Sequence, residues 1–101
     1  MSGYYDRDGD PLSRDEYMGA LENPWHNKRV GVTKVNAEVT VSTVWLGLDH
    51  SWGDSEHKIF ETMIFGGVHD SWCDRYSSEE SAMRGHLRVV DALRAGRDLD
   101  E

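Results

Sequence analysis

The stretch EVTVSTVWLGLDHSWGDSEHKIFETMIF, residues 38–65, decides the fold of this chain. It holds two apolar runs rich in the β-branched and aromatic residues that are enriched in strands, and a polar segment separates them. We predict strands over 38–48 and 58–65, joined by a loop over 49–57. Apolar side chains fall on both alternating faces of each run, so we expect interior strands that are covered, at least in part, on both sides.

Two more strands are predicted beside this pair. The segment 29–35 has strand-forming residues and ends at a turn near Asn36-Ala37, and the segment 72–76 is short enough to be an edge strand. Strands that follow each other through short connections usually pair antiparallel. The four segments together predict an antiparallel β-meander.

Helix signals lie on both sides of the meander. Ser13 followed three residues later by Glu16 has the spacing of a capping box, which predicts a short helix that ends before Asn23-Pro24. The residues of this helix that we expect to face inward are Tyr17, Met18 and Leu21.

The C-terminal helix has the clearest pattern in the chain. Ser77-Ser78 supplies a cap at its start, and Gly96 supplies a stop. Its apolar stripe at helical spacing predicts which residues face the sheet: Ala82, Met83, His86, Leu87, Val89, Val90 and Leu93.

These elements define an α+β fold, in which an antiparallel β-meander of three to four strands carries a short N-terminal helix and a C-terminal helix packed on the sheet. A chain of 101 residues is long enough for one modest core. We therefore predict a single α+β domain over 1–96, followed by a flexible acidic tail over 97–101.

The charge balance bears on the class of partner. Nineteen acidic and eleven basic side chains give a net charge of −8, which repels a phosphate backbone, and no basic stripe reverses it locally. Direct binding of nucleic acid is therefore not expected. An acidic surface could instead meet a basic patch on a protein, occupy a groove that normally holds DNA, or simply maintain solubility.

The sequence also bears on the compartment. No apolar run approaches the roughly 20 residues that span a bilayer, and the first residues lack the basic and apolar regions of a signal peptide. Cys73 is the single cysteine, so no internal disulfide can form. We expect a cytoplasmic protein with no membrane partner.

Three aspartates near the N-terminus are spaced like the start of a calcium loop: Asp6, Asp8 and Asp10. However, Pro11 stands where that loop needs glycine, and Tyr17 stands where it needs a bidentate glutamate. A tight turn ahead of the N-terminal helix explains the same residues, so calcium is not expected.

The histidines and the cysteine have side chains of the type that hold zinc. In a meander the loop 49–57 lies at one end of the sheet and the loop 66–71 at the other, on the order of 25 Å apart. Zinc ligands must all lie about 2 Å from one ion. His50 and His57 therefore cannot share a metal ion with His69 and Cys73. No metal or cofactor is expected.

The same topology gathers other groups at the end that holds the loop 49–57. Aromatic rings, imidazoles and the start of the last helix could bind an anion or a planar ligand, and a tryptophan-rich protein contact fits them equally well. The loop could also be only a long hairpin connection. The candidate binding residues are Trp25, His26, His50, Trp52 and His57.

Two polar residues fall among apolar ones. His86 lies at the centre of the helical stripe, and we interpret it as a structural histidine bonded to a threonine or to Glu61 on the third strand. Glu61 itself is either a tuned acid or a residue on an outward, partly exposed face.

Catalytic signatures give no direct support for an enzyme. No hydrolase elbow, Walker loop or dinucleotide fingerprint occurs, and Gly66-Gly67 indicates a turn rather than a phosphate-binding loop. A non-enzymatic function is therefore favoured, without excluding an enzyme.

Four segments resemble, in this order, a family of small uncharacterised proteins of tailed bacteriophages and prophages: YYDRDGDP, VSTVWLGLDHSW, IFETMIFGG and RYSSEESAMRGH. They span most of the chain apart from 23–37 and the tail. The resemblance implies a phage-encoded protein that works in the cytoplasm of a bacterial host. It implies no catalytic activity.

Three functions fit that context. The first is a non-enzymatic accessory protein that binds and modulates a bacterial host protein, such as a defence component. The second is a small-ligand binder or small enzyme that uses the end of the sheet with His50 and His57. The third is a minor accessory component of the virion.

Overall fold

A computed structural model describes residues 3–22, 28–47, 58–97 and 99. Each predicted strand and both predicted helices are found, and the strand ends coincide with the predicted ones or lie up to three residues inside them. A short N-terminal hairpin is additional to the prediction. In chain order the elements are β1 (Tyr4–Tyr5), β2 (Pro11–Leu12), α1 (Arg14–Leu21), β3 (Arg29–Lys34), β4 (Thr40–Trp45), β5 (Phe60–Phe65), β6 (Cys73–Tyr76) and α2 (Glu79–Ala95).

The four longer strands form one antiparallel sheet in the order β3-β4-β5-β6, so every strand pairs with its neighbours in sequence. This order is the predicted meander. β1 and β2 pair separately as an antiparallel hairpin, and α2 contacts all four strands of the sheet. The α+β fold is confirmed.

The register of the strands defines two faces of the sheet. Residues that lie directly opposite each other on neighbouring strands share a face. We call the face that α2 covers the inner face and its opposite the outer face. The fully buried side chains that β4 and β5 contribute to the inner face are Val41, Thr43, Trp45, Phe60, Thr62 and Ile64.

Two apolar clusters form the core on the inner face. The Trp45 cluster lies toward the N-terminal hairpin and contains Tyr17, Trp45, Ile59, Phe60 and Ala82. The Val41 cluster lies toward the C-terminal end of α2 and contains Val41, Ile64, Val89, Val90, Ala92 and Leu99. Burial of such side chains contributes roughly 1.5–3 kcal/mol each, which makes these clusters the main stabilising contacts.

Leu99 lies within the segment that we predicted to be a flexible tail. Its side chain is only 8% exposed and packs in the Val41 cluster. A buried leucine ties the chain to the core at this position, so the expectation of a loose tail does not describe Leu99.

The N-terminal hairpin and α1 are joined to the sheet through aromatic residues. The Tyr17 ring lies edge-on to the Trp45 ring with 5.8 Å between centroids, and the Tyr17 hydroxyl donates to the carbonyl oxygen of Leu46 at 3.0 Å. Trp45 Nε1 donates to the carbonyl oxygen of Tyr5 at 3.0 Å. Both polar tips are therefore bonded while their rings are buried.

Helix α1 begins as predicted. The Ser13 side chain accepts from the Glu16 amide, and the Glu16 carboxylate accepts from the Ser13 amide, which completes the capping box. Tyr17 faces inward as predicted. The inward placement of Met18 is wrong, since 54% of this residue is exposed. The side chain of Leu21 lies outside the described part of the structure.

Helix α2 is capped by the Ser78 side chain and ends at Gly96, whose φ of 69° is left-handed. The predicted stripe is buried at Ala82, Val89 and Val90. The inward placement of Leu87 is wrong, since this residue is 56% exposed. Successive residues of a helix are rotated by about 100°, so the side chain after the buried His86 points out of the buried stripe.

Gly85 marks a contact that the apolar pattern did not predict. It is buried on α2 directly against the ring of Tyr76 from β6. A Cβ added at this position would overlap the Tyr76 hydroxyl oxygen and the ring carbon that carries it. The absence of a side chain at Gly85 therefore sets how closely α2 approaches β6.

We expect the substitution Gly85→Ala to lower the free energy of unfolding by about 1–3 kcal/mol, because the added methyl group must displace the Tyr76 ring. This loss should exceed the gain of up to about 1 kcal/mol in helix propensity. Urea denaturation followed by tryptophan fluorescence measures the change.

Gly19→Ala is the matched control. Gly19 lies in α1, and a Cβ there meets no heavy atom within 4 Å. Alanine should raise the free energy of unfolding by up to about 1 kcal/mol. Equal changes in the two variants would show that the Tyr76 contact does not limit the approach of α2.

Candidate functional site

The predicted binding residues all lie outside the described part of the chain: Trp25, His26, His50, Trp52 and His57. The loop 49–57 lies outside it as well. The strands that flank these segments do reach one end of the sheet, where Trp45 pairs with Phe60 and Phe60 pairs with Tyr76. The gathering of the five residues into one site stays a prediction.

The ligand-type residues that are described do not form a metal site. Within residues 3–22, 28–47 and 58–97, no group of three His, Cys, Asp or Glu side chains is close enough to hold an ion. Asp6 Oδ1 accepts hydrogen bonds from the amides of Asp8 and Asp10, at 2.9 and 2.8 Å. This carboxylate therefore stabilises the hairpin turn.

His86 is the centre of a buried polar network on the inner face. Its Nε2 lies 2.8 Å from Thr33 Oγ1 on β3, and its Nδ1 lies 2.8 Å from Thr43 Oγ1 on β4. Thr43 Oγ1 in turn lies 2.5 Å from Thr62 Oγ1 on β5. We call these four residues the threonine–histidine network. It links α2 to three strands of the sheet.

The network fits the structural interpretation of His86. The imidazole is 2% exposed, and Thr43 and Thr62 are fully buried. A neutral imidazole has one donor and one acceptor nitrogen, and rotating hydroxyls can complement either tautomer. The predicted partner strand, 58–65, corresponds to β5 and was wrong in detail. The hydroxyls that contact the ring come from β3 and β4.

Glu61 does not contact His86. It lies on the outer face, where its carboxylate accepts a hydrogen bond from Arg75 Nε at 3.1 Å across the β5–β6 pair. Of the two interpretations of Glu61 that the sequence allowed, its position on an outward, partly exposed face is confirmed. Strand alternation explains it, since Glu61 follows the inward Phe60.

Burial also affects the protonation of His86. Desolvation lowers its pKa below the ordinary value of 6.5, because the imidazolium loses water that the protein does not replace. Above that value the ring is neutral in both the folded and the unfolded chain. Below it the unfolded chain takes up the proton first, so the folded state loses stability until the folded pKa is also passed.

We therefore expect the free energy of unfolding to fall as the pH decreases from about 7 to about 5, with a slope from His86 of at most about 1.4 kcal/mol per pH unit. Urea denaturation at several pH values measures the slope. The His86→Gln variant should lack this component. If that variant does not fold, an NMR titration of the His86 ring in the wild type gives the same answer, and a pKa at or above 6.5 would contradict the prediction.

The outer face of the sheet carries a row of apolar residues, interrupted by one serine, that α2 does not cover; we call it the apolar row. In register, Val32, Ser42, Met63 and Cys73 lie side by side across all four strands. Val32 is 47% exposed, and the neighbouring Phe65 is 51% exposed. Ser42 and Met63 on the two interior strands are partly buried, as expected, whereas Val32 on the edge strand β3 and Phe65 at the end of β5 are exposed.

Charged residues flank this row on the same face. Arg29, Lys34 and Arg75 contribute three positive charges, and Glu61 contributes one negative charge. The face is thus locally basic in a chain whose net charge is −8. This differs from the expectation that no basic stripe reverses the net charge locally, because the sequence does not say which residues share a face.

We call the region formed by the apolar row, Phe65 and these flanking charges the open sheet face. Large exposed apolar side chains that lie next to each other and have a polar rim are typical of interaction surfaces. The alternation of apolar residues on both sides of β5 was the available sequence signal for it. The sequence could not say that one side stays exposed.

Neither described helix is both long and apolar enough to cross a membrane. Comparisons with known proteins add no function: no family model, no curated protein and no solved structure matches this chain.

Proposed function

We propose that this chain is a non-enzymatic binding module that docks on a protein of its bacterial host through the open sheet face. The supporting observation is the row from Val32 to Cys73, which crosses all four strands and is continued by the half-exposed Phe65. Removing such side chains from water on contact with a partner contributes about 25 cal/mol per Å² of apolar surface.

The chemistry of the inner face supports a non-enzymatic role. Among the described residues, the closest approach to a nucleophile and base is His86 with its threonines. A catalytic base must reach a proton on a substrate, whereas His86 is 2% exposed and Thr43 is fully buried. This arrangement stabilises the fold and offers no surface at which a substrate could react.

The charges on the open sheet face indicate the chemistry of the partner. Lys34 and the excess of cations over carboxylates on this face favour a partner patch that is apolar at its centre and acidic at its rim. A second copy of this chain is a poorer occupant, because two open sheet faces brought together would oppose cation to cation. An acidic protein surface is the occupant that we propose.

The biological context comes from the resemblance to small proteins of tailed phages. In that context the partner is a host protein, for example a defence component whose activity the docking would modulate. Ligand binding around His50 and His57, and a place in the virion, stay predictions that concern residues outside the described part of the chain.

The single cysteine allows a direct test. Cys73 is exposed and lies in the apolar row, so a benzophenone maleimide attached to it places a photo-crosslinker on the open sheet face without any substitution. In host lysate we expect one predominant crosslinked protein with an acidic surface. The yield should fall at high salt and in a Val32→Ser, Phe65→Ser variant.

A probe on the opposite side of the molecule is the control. Cys73→Ser combined with Leu87→Cys moves the label to an exposed position on α2. This probe should not give the same product. Equal labelling by both probes, or a product that the Val32 and Phe65 substitutions leave unchanged, would overturn the proposal.

A charge reversal tests the electrostatic part. Lys34→Glu on the open sheet face should reduce the crosslink yield, whereas Arg94→Glu, which reverses an exposed charge on α2, should not. An undiminished yield with Lys34→Glu would exclude an acidic partner patch at this position.

A further inference from the structure

A cavity lies at the end of the sheet opposite to the predicted site. It has a volume of about 320 Å³, which is within the range of small-ligand pockets. Three parts of the chain surround it: the turn between β3 and β4, the turn between β5 and β6, and the C-terminal end of α2. Of the residues considered above as metal ligands or binding residues, His69 is the one found among the described residues that line it.

The inside of this cavity is apolar. Its lining includes Val35, Val39, Ile64 and Leu93, of which Ile64 is fully buried and belongs to the Val41 cluster. Val68 also lines it and is 96% exposed. An apolar side chain that is almost wholly in water at the rim of an apolar cavity would gain free energy from contact with an apolar ligand.

The polar residues of the wall present nitrogen donors. Asn36 Oδ1 already accepts from the amides of Glu38 and Val39, at 2.8 and 3.0 Å, so the amide nitrogen is the part of this side chain left to bind a ligand. Arg97 brings a guanidinium, and His69 brings an imidazole. Guanidinium and amide donors together match the oxygens of a carboxylate.

Two sets of negative oxygens near the cavity are already bonded within the protein. The carbonyl oxygens of Ala92 and Leu93 at the end of α2 accept from the amides of Arg97 and Gly96, which partly satisfies the negative end of the helix dipole. Asp70 Oδ1 accepts from the Gly66 amide at 2.7 Å. Among the described residues that line the cavity, Arg97 is the one that carries a formal charge when His69 is neutral.

We propose that this cavity binds small carboxylic acids with an apolar body, which place the body against Val39, Ile64 and Leu93 and the carboxylate toward Arg97 and Asn36. The site is on the inner-face side of the sheet, so it is separate from the open sheet face. The proposal does not depend on the proposed function.

The test uses 3-phenylpropionate and its neutral analogue 3-phenylpropanamide with the ¹⁵N-labelled full chain. We expect saturable NMR shifts at the amides of Gly66, His69 and Gly96 with the carboxylate. The amide analogue should bind about ten-fold more weakly, since a charged hydrogen bond is replaced by a neutral one.

Two arginine variants provide the matched comparison. Arg97→Gln should weaken carboxylate binding by about ten-fold. Arg94→Gln should leave it unchanged, because Arg94 is exposed on the last turn of α2 and does not line the cavity. Val68→Ser should weaken the carboxylate and the amide analogue by the same factor, since it alters only the apolar contact.

Three results would overturn the proposal. The first is the lack of any saturable shift at millimolar ligand. The second is equal affinity for the carboxylate and the amide analogue. The third is an Arg97→Gln protein that binds as tightly as the wild type while its unperturbed spectrum shows that it is folded.

Discussion

The threonine–histidine network is the interaction on which the architecture depends. Its hydrogen bonds join α2 to β3 and β4, and it lies between the Trp45 cluster and the Val41 cluster. Apolar contacts alone would tolerate small shifts of the helix along the sheet. Two hydrogen bonds from one ring to β3 and β4 allow only one position. The network therefore specifies the placement that the two clusters stabilise.

That placement explains why the two faces of the sheet differ. α2 covers the inner face along the whole meander and leaves the outer face with its row of apolar residues. It also brings the end of the helix between the two turns, where the cavity lies. The open sheet face and the cavity are both consequences of one helix lying on one side of a four-stranded sheet.

Much of the fold could be predicted from local patterns. The capping box at Ser13, the stop at Gly96 and the alternation in β4 and β5 each act over a few residues, and the structure confirms each of them. The errors at Met18 and Leu87 have one cause. Both lie at the margin of a helical stripe, where only the position of the neighbouring element decides burial.

The open sheet face and the cavity could be predicted much less well, because they depend on contacts between distant parts of the chain. Nothing near Val32 or Phe65 in sequence says that one side of the sheet stays exposed. Likewise, the cavity combines Asn36, His69 and Arg97, which only the tertiary structure brings together. The candidate binding residues from the sequence lie outside the described ranges: Trp25, His26, His50, Trp52 and His57.

The sequence separations within the threonine–histidine network have a consequence for the order of folding. Thr43 and Thr62 are 19 positions apart, whereas His86 is 43 positions from Thr43 and 53 from Thr33. The entropy lost on closing a loop grows with the logarithm of its length, and strand pairing shortens the effective loop that remains. The chain therefore loses least entropy when neighbouring strands pair first and α2 docks afterward. Placing the buried histidine on the last element lets one late docking step lock three strands that are already paired.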